Sequence, residues 1–531
     1  MFRRVRLLAV VLLCCSVGTV AWAAEEGCGD TVELDRFQFF RQLTLDLFGR
    51  VPTLAELEPI IHITDVGEAQ VDAMLSSAEF SRFVRRYHLD LLWPNVDAFE
   101  LVNPALSYLL PASLYDYSSG NADRLFVLFV GLYERGGLVP CKDAPAEYDR
   151  VGNLIFEEFP DGTQREGWVE VEPYWAPGTT VKVCALEART AMISSDGLAC
   201  DRAEGMLSGR CGCGPNLQHC LSIESGQAVQ QSLQEQFLRM IEAPINEERS
   251  YYDMLLAENE DLNGALIHYY RYLAPMAIDP IMQYPPVPVA ELPTDVPFTD
   301  PFWTSYARPA EHSGVLTTVL YLLRFQTDRA RANRFYNAFF CAPFQAPQIE
   351  LPSPSDPCSN EPNLRKRCGC SYCHSALEPA AAYWGRFADA GTLYLHPLSF
   401  PDYSEDCATC INNPLVPCKF ICQRFYFTQA GHPDEEPYVG FLKALVFSDE
   451  EEKQRVLGGP RMMVEQALAA GTLATCTIRR LFERLHNRPM SPDEEQEMMV
   501  DLVTEFDASG HDFKALVKRL ALLPSYRRLA R

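Results

Sequence analysis

The sequence predicts a mainly α, multi-domain helical protein with one small disulfide-rich, partly β insertion. Three observations carry this prediction. Apolar residues recur at helical spacing near both ends and through the middle of the chain. Helix-start signals precede several of these stretches. Between 135 and 225 the helical period is lost, and six cysteines crowd among Gly, Pro and acidic residues. The 531 residues are 47% hydrophobic and 22% charged, which excludes wholesale disorder. Lys and Arg number 46 against 71 Asp and Glu, a formal charge of −25 that repels phosphate backbones and excludes a nucleic-acid partner.

Taken in order, residues 1–23 have the form of a signal peptide. Arg3, Arg4 and Arg6 precede an apolar run from Leu7 to Val20, and Ala21-Trp22-Ala23 supplies the small residues of a cleavage site. No later stretch reaches ~18 apolar residues, so no membrane span is expected after cleavage. The expected location is exported, either periplasmic or extracellular, where disulfides are permitted.

Residues 28–134 are read as an N-terminal helical domain. Phe37, Phe40, Thr44 and Leu47 mark a first helix that stops at Gly49. Thr53-Leu-Ala-Glu56 and Ser76-Ser-Ala-Glu79 are capping-box sequences. Behind the second, Phe80, Phe83, Val84, Tyr87 and Leu91 share one helical face and are assigned to the core. The cysteine-rich insertion occupies 135–230, with a β-branched run from Thr179 to Val183. Within it, Cys211, Cys213, His219 and Cys220 resemble a metal-binding run, but disulfides are the expected use of these cysteines.

A helical domain follows over 231–345, crossed by a Pro-rich connector from Pro275 to Pro301. Residues 346–440 hold the second cysteine cluster, and 441–531 form a C-terminal helical domain in which Ser491-Pro-Asp-Glu494 starts a helix.

The chemistry lies in Cys370-Ser371-Tyr372-Cys373-His374, which has the c-type haem attachment pattern. Two thiols separated by two residues match the two vinyl groups of haem, and the next residue, His374, is placed to ligate the iron as the proximal ligand. Three other uses of these residues compete: a zinc site with Cys407 and Cys410, plain disulfides, and a thiol-disulfide active site. Export disfavours zinc, and no thioredoxin-like pattern surrounds the motif. The expected cofactor is therefore one covalent haem c.

Flanking residues carry a resemblance. The stretch CSYCHSALEPAAAYWGRFADAGTL (Cys370 to Leu393) resembles the haem segment of planctomycete-type, also myxobacterial-like, exported multi-domain cytochrome c proteins. Leu377-Glu378-Pro379 stands where that family has a Met-Asp-Pro-like turn, and Phe387 to Gly391 stands at its Phe-x-x-x-Gly step. Phe39 to Leu57, Ser76 to Trp93, His312 to Pro347, Gly459 to Glu494 and Ser509 to Leu529 are similar to other parts of the family, in the family order. This chain departs from the pattern at Ala381 and Ala388, where the family often has Gly and an acidic residue. The resemblance implies haem and export; it implies no particular reaction.

For the distal side of the iron the candidates are Met462 or Met463, with His396 as the alternative; a methionine raises the potential relative to a second histidine. Cys14 and Cys15 leave with the signal peptide, so 17 of the 19 cysteines remain, and setting aside Cys370 and Cys373 leaves 15. An odd number requires one thiol outside the disulfides, and Cys341 and Cys476, on apolar helical faces, are the candidates. Cys368 is expected to bridge to Cys358, and Cys407, Cys410, Cys418 and Cys422 to staple the adjoining loop.

The expected function is that of an exported monohaem c-type cytochrome-like protein in one-electron transfer, with a redox partner protein of unknown identity. Two alternatives stand beside it: a haem-dependent oxidoreductase acting on an exported substrate, and a cofactor-free, disulfide-stapled structural or binding protein.

Overall fold

The computed structural model describes residues 32–94, 141–194, 197–200, 211–219, 223–274, 285–344, 352–410 and 418–529, with the backbone of two short paired strands, Leu114–Tyr115 and Arg124–Leu125. The signal-peptide segment, Cys28 and Cys220 lie outside these residues. Helix predominates, and every sheet among the described residues has two short strands. The mainly α prediction holds.

The chain enters through β1 (Val32–Glu33), which pairs antiparallel with Arg528–Leu529 at the opposite end. Four helices follow: α1 (Arg36–Leu43), α2 (Leu54–Ile61), α3 (Glu68–Leu75) and α4 (Phe80–Leu92). Thr53 caps α2 as expected, its hydroxyl accepting from the Glu56 N–H while Glu56 reaches back to the Thr53 N–H. The second capping box does not form. Ser76 closes α3 instead, and the side chain of Glu79 is taken by Arg50, with Nε to Oε1 at 3.2 Å. The aromatic face of α4 is buried as predicted: Phe80, Phe83, Val84, Tyr87 and Leu91 are all in the core.

In the insertion, Trp168–Val171 and Val181–Cys184 form an antiparallel hairpin. It is stapled by Cys141–Cys184, with Cys200–Cys211 beyond it. Cys213 is disulfide-bonded as well. His219 is a buried packing residue whose Nδ1 lies 2.9 Å from the Tyr272 carbonyl oxygen. The insertion therefore uses its cysteines as staples.

The long helix α5 (Ile223–Asn246) runs against α4, and Arg85 of α4 pairs with both Glu235 and Glu242. After it come α6 (Asp253–Leu256) and α7 (Gly264–His268), then α8 (Val319–Arg324) and α9 (Asp328–Phe339). The segment of interest contains α10 (Ser371–Ala381), α11 (Glu405–Thr409) and α12 (Phe420–Phe425). The chain ends in α13 (Glu450–Ala469), α14 (Thr472–His486), α15 (Pro492–Ala508) and α16 (Phe513–Ala521). Ser491 caps α15 with Pro492 at the first helical position, as its sequence predicts.

First and last helices share one hydrophobic core, which extends from Leu34 to Tyr526. Tyr251 links them: its ring stacks on Phe513 of α16 at 4.9 Å, and its hydroxyl lies 2.9 Å from His88 Nε2 of α4. A second link is covalent. Cys341, just after α9, is bonded to Cys476 in α14. The expectation that one of these two is a lone buried thiol is wrong, because packing of α9 against α14 brings Cys341, in the bend after α9, into bonding distance of Cys476.

Candidate haem-attachment site

Cys370 is the residue that starts α10, so Cys373 and His374 fall in its first turn. Three disulfides lie in the same segment of the chain. Cys358–Cys368 ties down the approach, as predicted from sequence. Cys407–Cys422 and Cys410–Cys418 staple α11, α12 and the loop between them. With Cys407 and Cys410 committed to these bonds, the four-cysteine zinc site is ruled out. Among the described residues, Cys370 and Cys373 are the cysteines that remain thiols, and they are not bonded to each other.

The segment that follows α10 is pinned by two buried arginines, one before α10 and one after it in the sequence. Arg331 of α9 is fully buried and donates to the carbonyl oxygens of Phe387, Ala388 and Gly391 at 3.0, 2.9 and 3.1 Å. It also donates to Phe325 and Leu322 at 2.8 and 3.2 Å. Arg386, equally buried, donates to the carbonyl oxygens of Leu395 and Phe400 and pairs with Asp402. Burial pushes the Arg331 guanidinium down to about 10, with Asp389 and Asp328 opposing the shift, so the group stays charged at neutral pH.

The histidine is oriented from its own helix. Glu378, one turn after His374, bonds the imidazole Nδ1. The same carboxylate is gripped by Arg329 of α9, with Nε to Oε1 at 2.7 Å and Nη2 to Oε2 at 2.8 Å. Burial raises the Glu378 pKa, but the Arg329 fork and the His374 hydrogen bond together outweigh it and hold the carboxyl below its ordinary value. Glu378 is therefore an anion that accepts from Nδ1–H, which leaves the Nε2 lone pair for a metal. Leu377-Glu378-Pro379 is not a turn here. It continues α10 through Pro379, and this helical continuation is what sets Glu378 under His374.

The donor set fits haem c: two thiols at the required spacing, and an imidazole with one nitrogen engaged and the other available. Met463 is buried in the core within α13, and Met462 is half-buried beside it. Helix α13 meets the end of α10 at Pro379, whose carbonyl accepts from Arg455 at 3.1 Å, and the residues just beyond it at Tyr383, whose hydroxyl donates to Gln466 at 2.8 Å. His396 is exposed at the edge of a separate large cavity, where its ring meets Tyr394 and its Nδ1 accepts from the Leu398 N–H. Neither that cavity nor the polar one of about 230 Å³ beside Glu378 is lined by Cys370, Cys373 or His374.

Sequence reasoning missed Glu378 and Arg329. The four-residue step from His374 to Glu378 was the available signal for the first. Nothing local announces Arg329, which arrives from 45 positions upstream of His374 on another helix.

The fold and site together define a mainly α, disulfide-stapled protein that presents two thiols and an anchored histidine on one helix start. No protein-family model matches the chain, and no curated protein or solved structure gives a significant match. No helix among the described residues is long and apolar enough to cross a membrane.

Proposed function

We propose that this chain is an exported monohaem c-type cytochrome that transfers single electrons to or from a partner protein. The observation that carries the reading is the arrangement at the start of α10. Two thiols at the attachment spacing are followed directly by a histidine whose Nδ1 is held by an anionic carboxylate. In this reading Cys370 and Cys373 hold the haem and His374 ligates its iron. Bound there, the haem supplies a one-electron iron couple.

The remaining work is done by the chain's own residues. Glu378 fixes the imidazole ring and its tautomer. Arg329 keeps Glu378 ionised and stops it from rotating away. The Cys358–Cys368, Cys407–Cys422 and Cys410–Cys418 bonds hold the adjoining loops in an oxidising compartment. The surface charge of the chain, −25 overall, suits a partner with a basic docking face.

The test is expression with export in a host that matures c-type cytochromes. The expected result is a Soret band and a haem stain that survives denaturation, both lost in the C370S/C373S double variant. A purified, folded protein without either signal would overturn the reading. A low-spin iron indifferent to cyanide supports electron relay; a high-spin iron that binds cyanide or peroxide would replace relay with the oxidoreductase alternative.

A further inference from the structure

Arg329 does not serve Glu378 alone. Its third nitrogen, Nη1, lies 3.7 Å from Oδ1 of Asp328, the first residue of α9. The Asp328 N–H in turn donates to Oδ1 of Asp389, in the segment after α10, at 3.1 Å. Three carboxylates, Glu378, Asp328 and Asp389, therefore act on one guanidinium. The group carries an excess of negative charge, and it is joined through Glu378 to Nδ1 of His374.

Asp328 is also within reach of solvent. Its side chain is 21% exposed, and with Arg329 and Glu378 it lines the polar cavity of about 230 Å³. The other charged groups of that wall are already engaged. Lys443 donates to the carbonyl oxygens of Gln423 and Arg424 at 2.9 Å each, and Arg365 pairs with Glu452 at 2.8 Å. Glu435 accepts from the N–H groups of Gly431 and His432 at 2.7 and 3.0 Å. Behind the two aspartates, Arg331 is spent on carbonyl oxygens, and Arg424 donates to the Asp389 carbonyl at 3.1 Å. Among the described residues, the counter-charge within ion-pair distance of Asp328 is the shared Arg329.

Burial and the charge of Asp389 push the Asp328 carboxyl up to about 6, against the pull of Arg329. A carboxyl so placed changes its proton occupancy near neutral pH when a nearby charge changes. An electron gained at the His374 end of the chain makes that end more negative and favours the protonated form of Asp328.

We propose that Asp328, with Asp389 beside it, is a redox-linked proton site, which takes up a proton through the polar cavity when the site at His374 gains an electron and releases it when the electron leaves. The proposal rests on the cytochrome reading. The electron comes from the partner protein and the proton from bulk water, and the bond formed is the O–H of the Asp328 carboxyl.

The test is potentiometric titration of the haem-loaded full chain between pH 5 and pH 8. The reduced protein is expected to bind the proton at least threefold more tightly. At 59 mV per tenfold, that places the potential at pH 5 about 28 mV or more above its value at pH 8. Asp328→Asn keeps an acceptor for the Arg329 N–H but cannot titrate, so its potential should be flat across this range. Asp389→Asn removes the charge that raises Asp328, so the step should persist at lower pH. In the wild type at pH 6, the reduced-minus-oxidised infrared spectrum should gain a protonated-carboxyl C=O band that Asp328→Asn lacks. A wild-type potential that does not change with pH would overturn the proposal. So would a step that survives Asp328→Asn, or one that Asp389→Asn leaves in place. Should Asp328→Asn fail to fold, as thermal melts would show, Asp389→Asn and the wild-type infrared band still decide. A chain that takes up no covalent haem overturns the cytochrome reading and this proposal with it, whereas a loaded chain with a flat potential overturns this proposal alone.

Discussion

Arg329 closes on Glu378 with both arms of its guanidinium, and Glu378 in turn bonds the Nδ1 of His374. The three residues form a chain of charge that starts on α9 and ends on the imidazole nitrogen opposite the one available to a metal. An ionised acceptor at Nδ1 makes the ring a stronger donor at Nε2, which favours the more oxidised form of a bound metal.

Glu378→Gln keeps a hydrogen-bond acceptor at this position but removes the charge. On the cytochrome reading, the expected outcome is unchanged covalent haem and a reduction potential higher than that of the wild type. Potentiometric titration followed at the Soret band measures it. Arg329→Met is expected to shift the potential in the same direction, because an unpaired Glu378 in a partly buried site is driven toward its neutral form. An unchanged potential in both variants would show that the carboxylate has no electronic influence on the site.

The bond between Cys341 and Cys476 closes a loop of 135 residues that includes α10 and its flanking staples. Converting both to alanine should cost roughly 2–5 kcal/mol of stability, chiefly by freeing the unfolded chain. Chemical denaturation under non-reducing conditions is the measurement. A loss under about 1 kcal/mol would mean that core packing alone holds α9 against α14.

Some of this organisation is legible in the sequence and some is not, and the difference is one of range. Local hydrogen-bond patterns are readable: Thr53-Leu-Ala-Glu56 and Ser491-Pro-Asp-Glu494 both start helices where they stand. Ser76 does not start a helix, because it closes α3, while its Glu79 pairs with Arg50, a partner 29 residues back. The pairing of Cys358 with Cys368, ten residues apart, follows from proximity along the chain. Cys341 and Cys476 carry no such cue, since their pairing depends on which two helices pack together. Cys370, Cys373 and His374 stand out because their chemistry demands adjacency. The Arg329 fork exists only after the chain has folded.

Burial of neutral histidine sets a pH dependence. His268 is fully buried, stacks on Tyr174 at 4.5 Å, and has no hydrogen-bond partner at either ring nitrogen. Desolvation, followed by the nearby His219, lowers its pKa to about 3. The unfolded chain therefore takes up a proton near the ordinary value of 6.5 while the folded chain does not. The stability that His268 contributes is present above pH 6.5 and is lost as pH falls below it toward about 3. Glu260 acts in the opposite sense: burial raises it to about 7, so its contribution is lost as pH rises from 4.5 through that value. His268→Phe removes the first effect and leaves the second. Urea denaturation at pH 7 and pH 5 should show a smaller loss on acidification in the variant than in the wild type. Equal losses would mean that His268 is protonated in the folded state.

Arg331 provides the sharpest test of how the segment after α10 is held. Its guanidinium is fully buried, carries no direct carboxylate partner, and donates to five carbonyl oxygens. Three of these belong to the stretch from Phe387 to Gly391, and two to Leu322 and Phe325 near the end of α8. Arg331→Met fills a similar volume but leaves all five acceptors without a donor. At about 1–3 kcal/mol for each buried group left unpaired, even partial rescue by water leaves a loss of at least about 3 kcal/mol. Arg331→Lys keeps the charge yet cannot reproduce the planar fork, so it should recover less than half of that loss. Hydrogen exchange then locates the damage: amides around 387–395 should lose protection before those of α4 and α16, because the arginine pins that stretch and not the terminal helices. Uniform loss of protection across the chain would instead make Arg331 a general core residue with no special hold on the segment after α10.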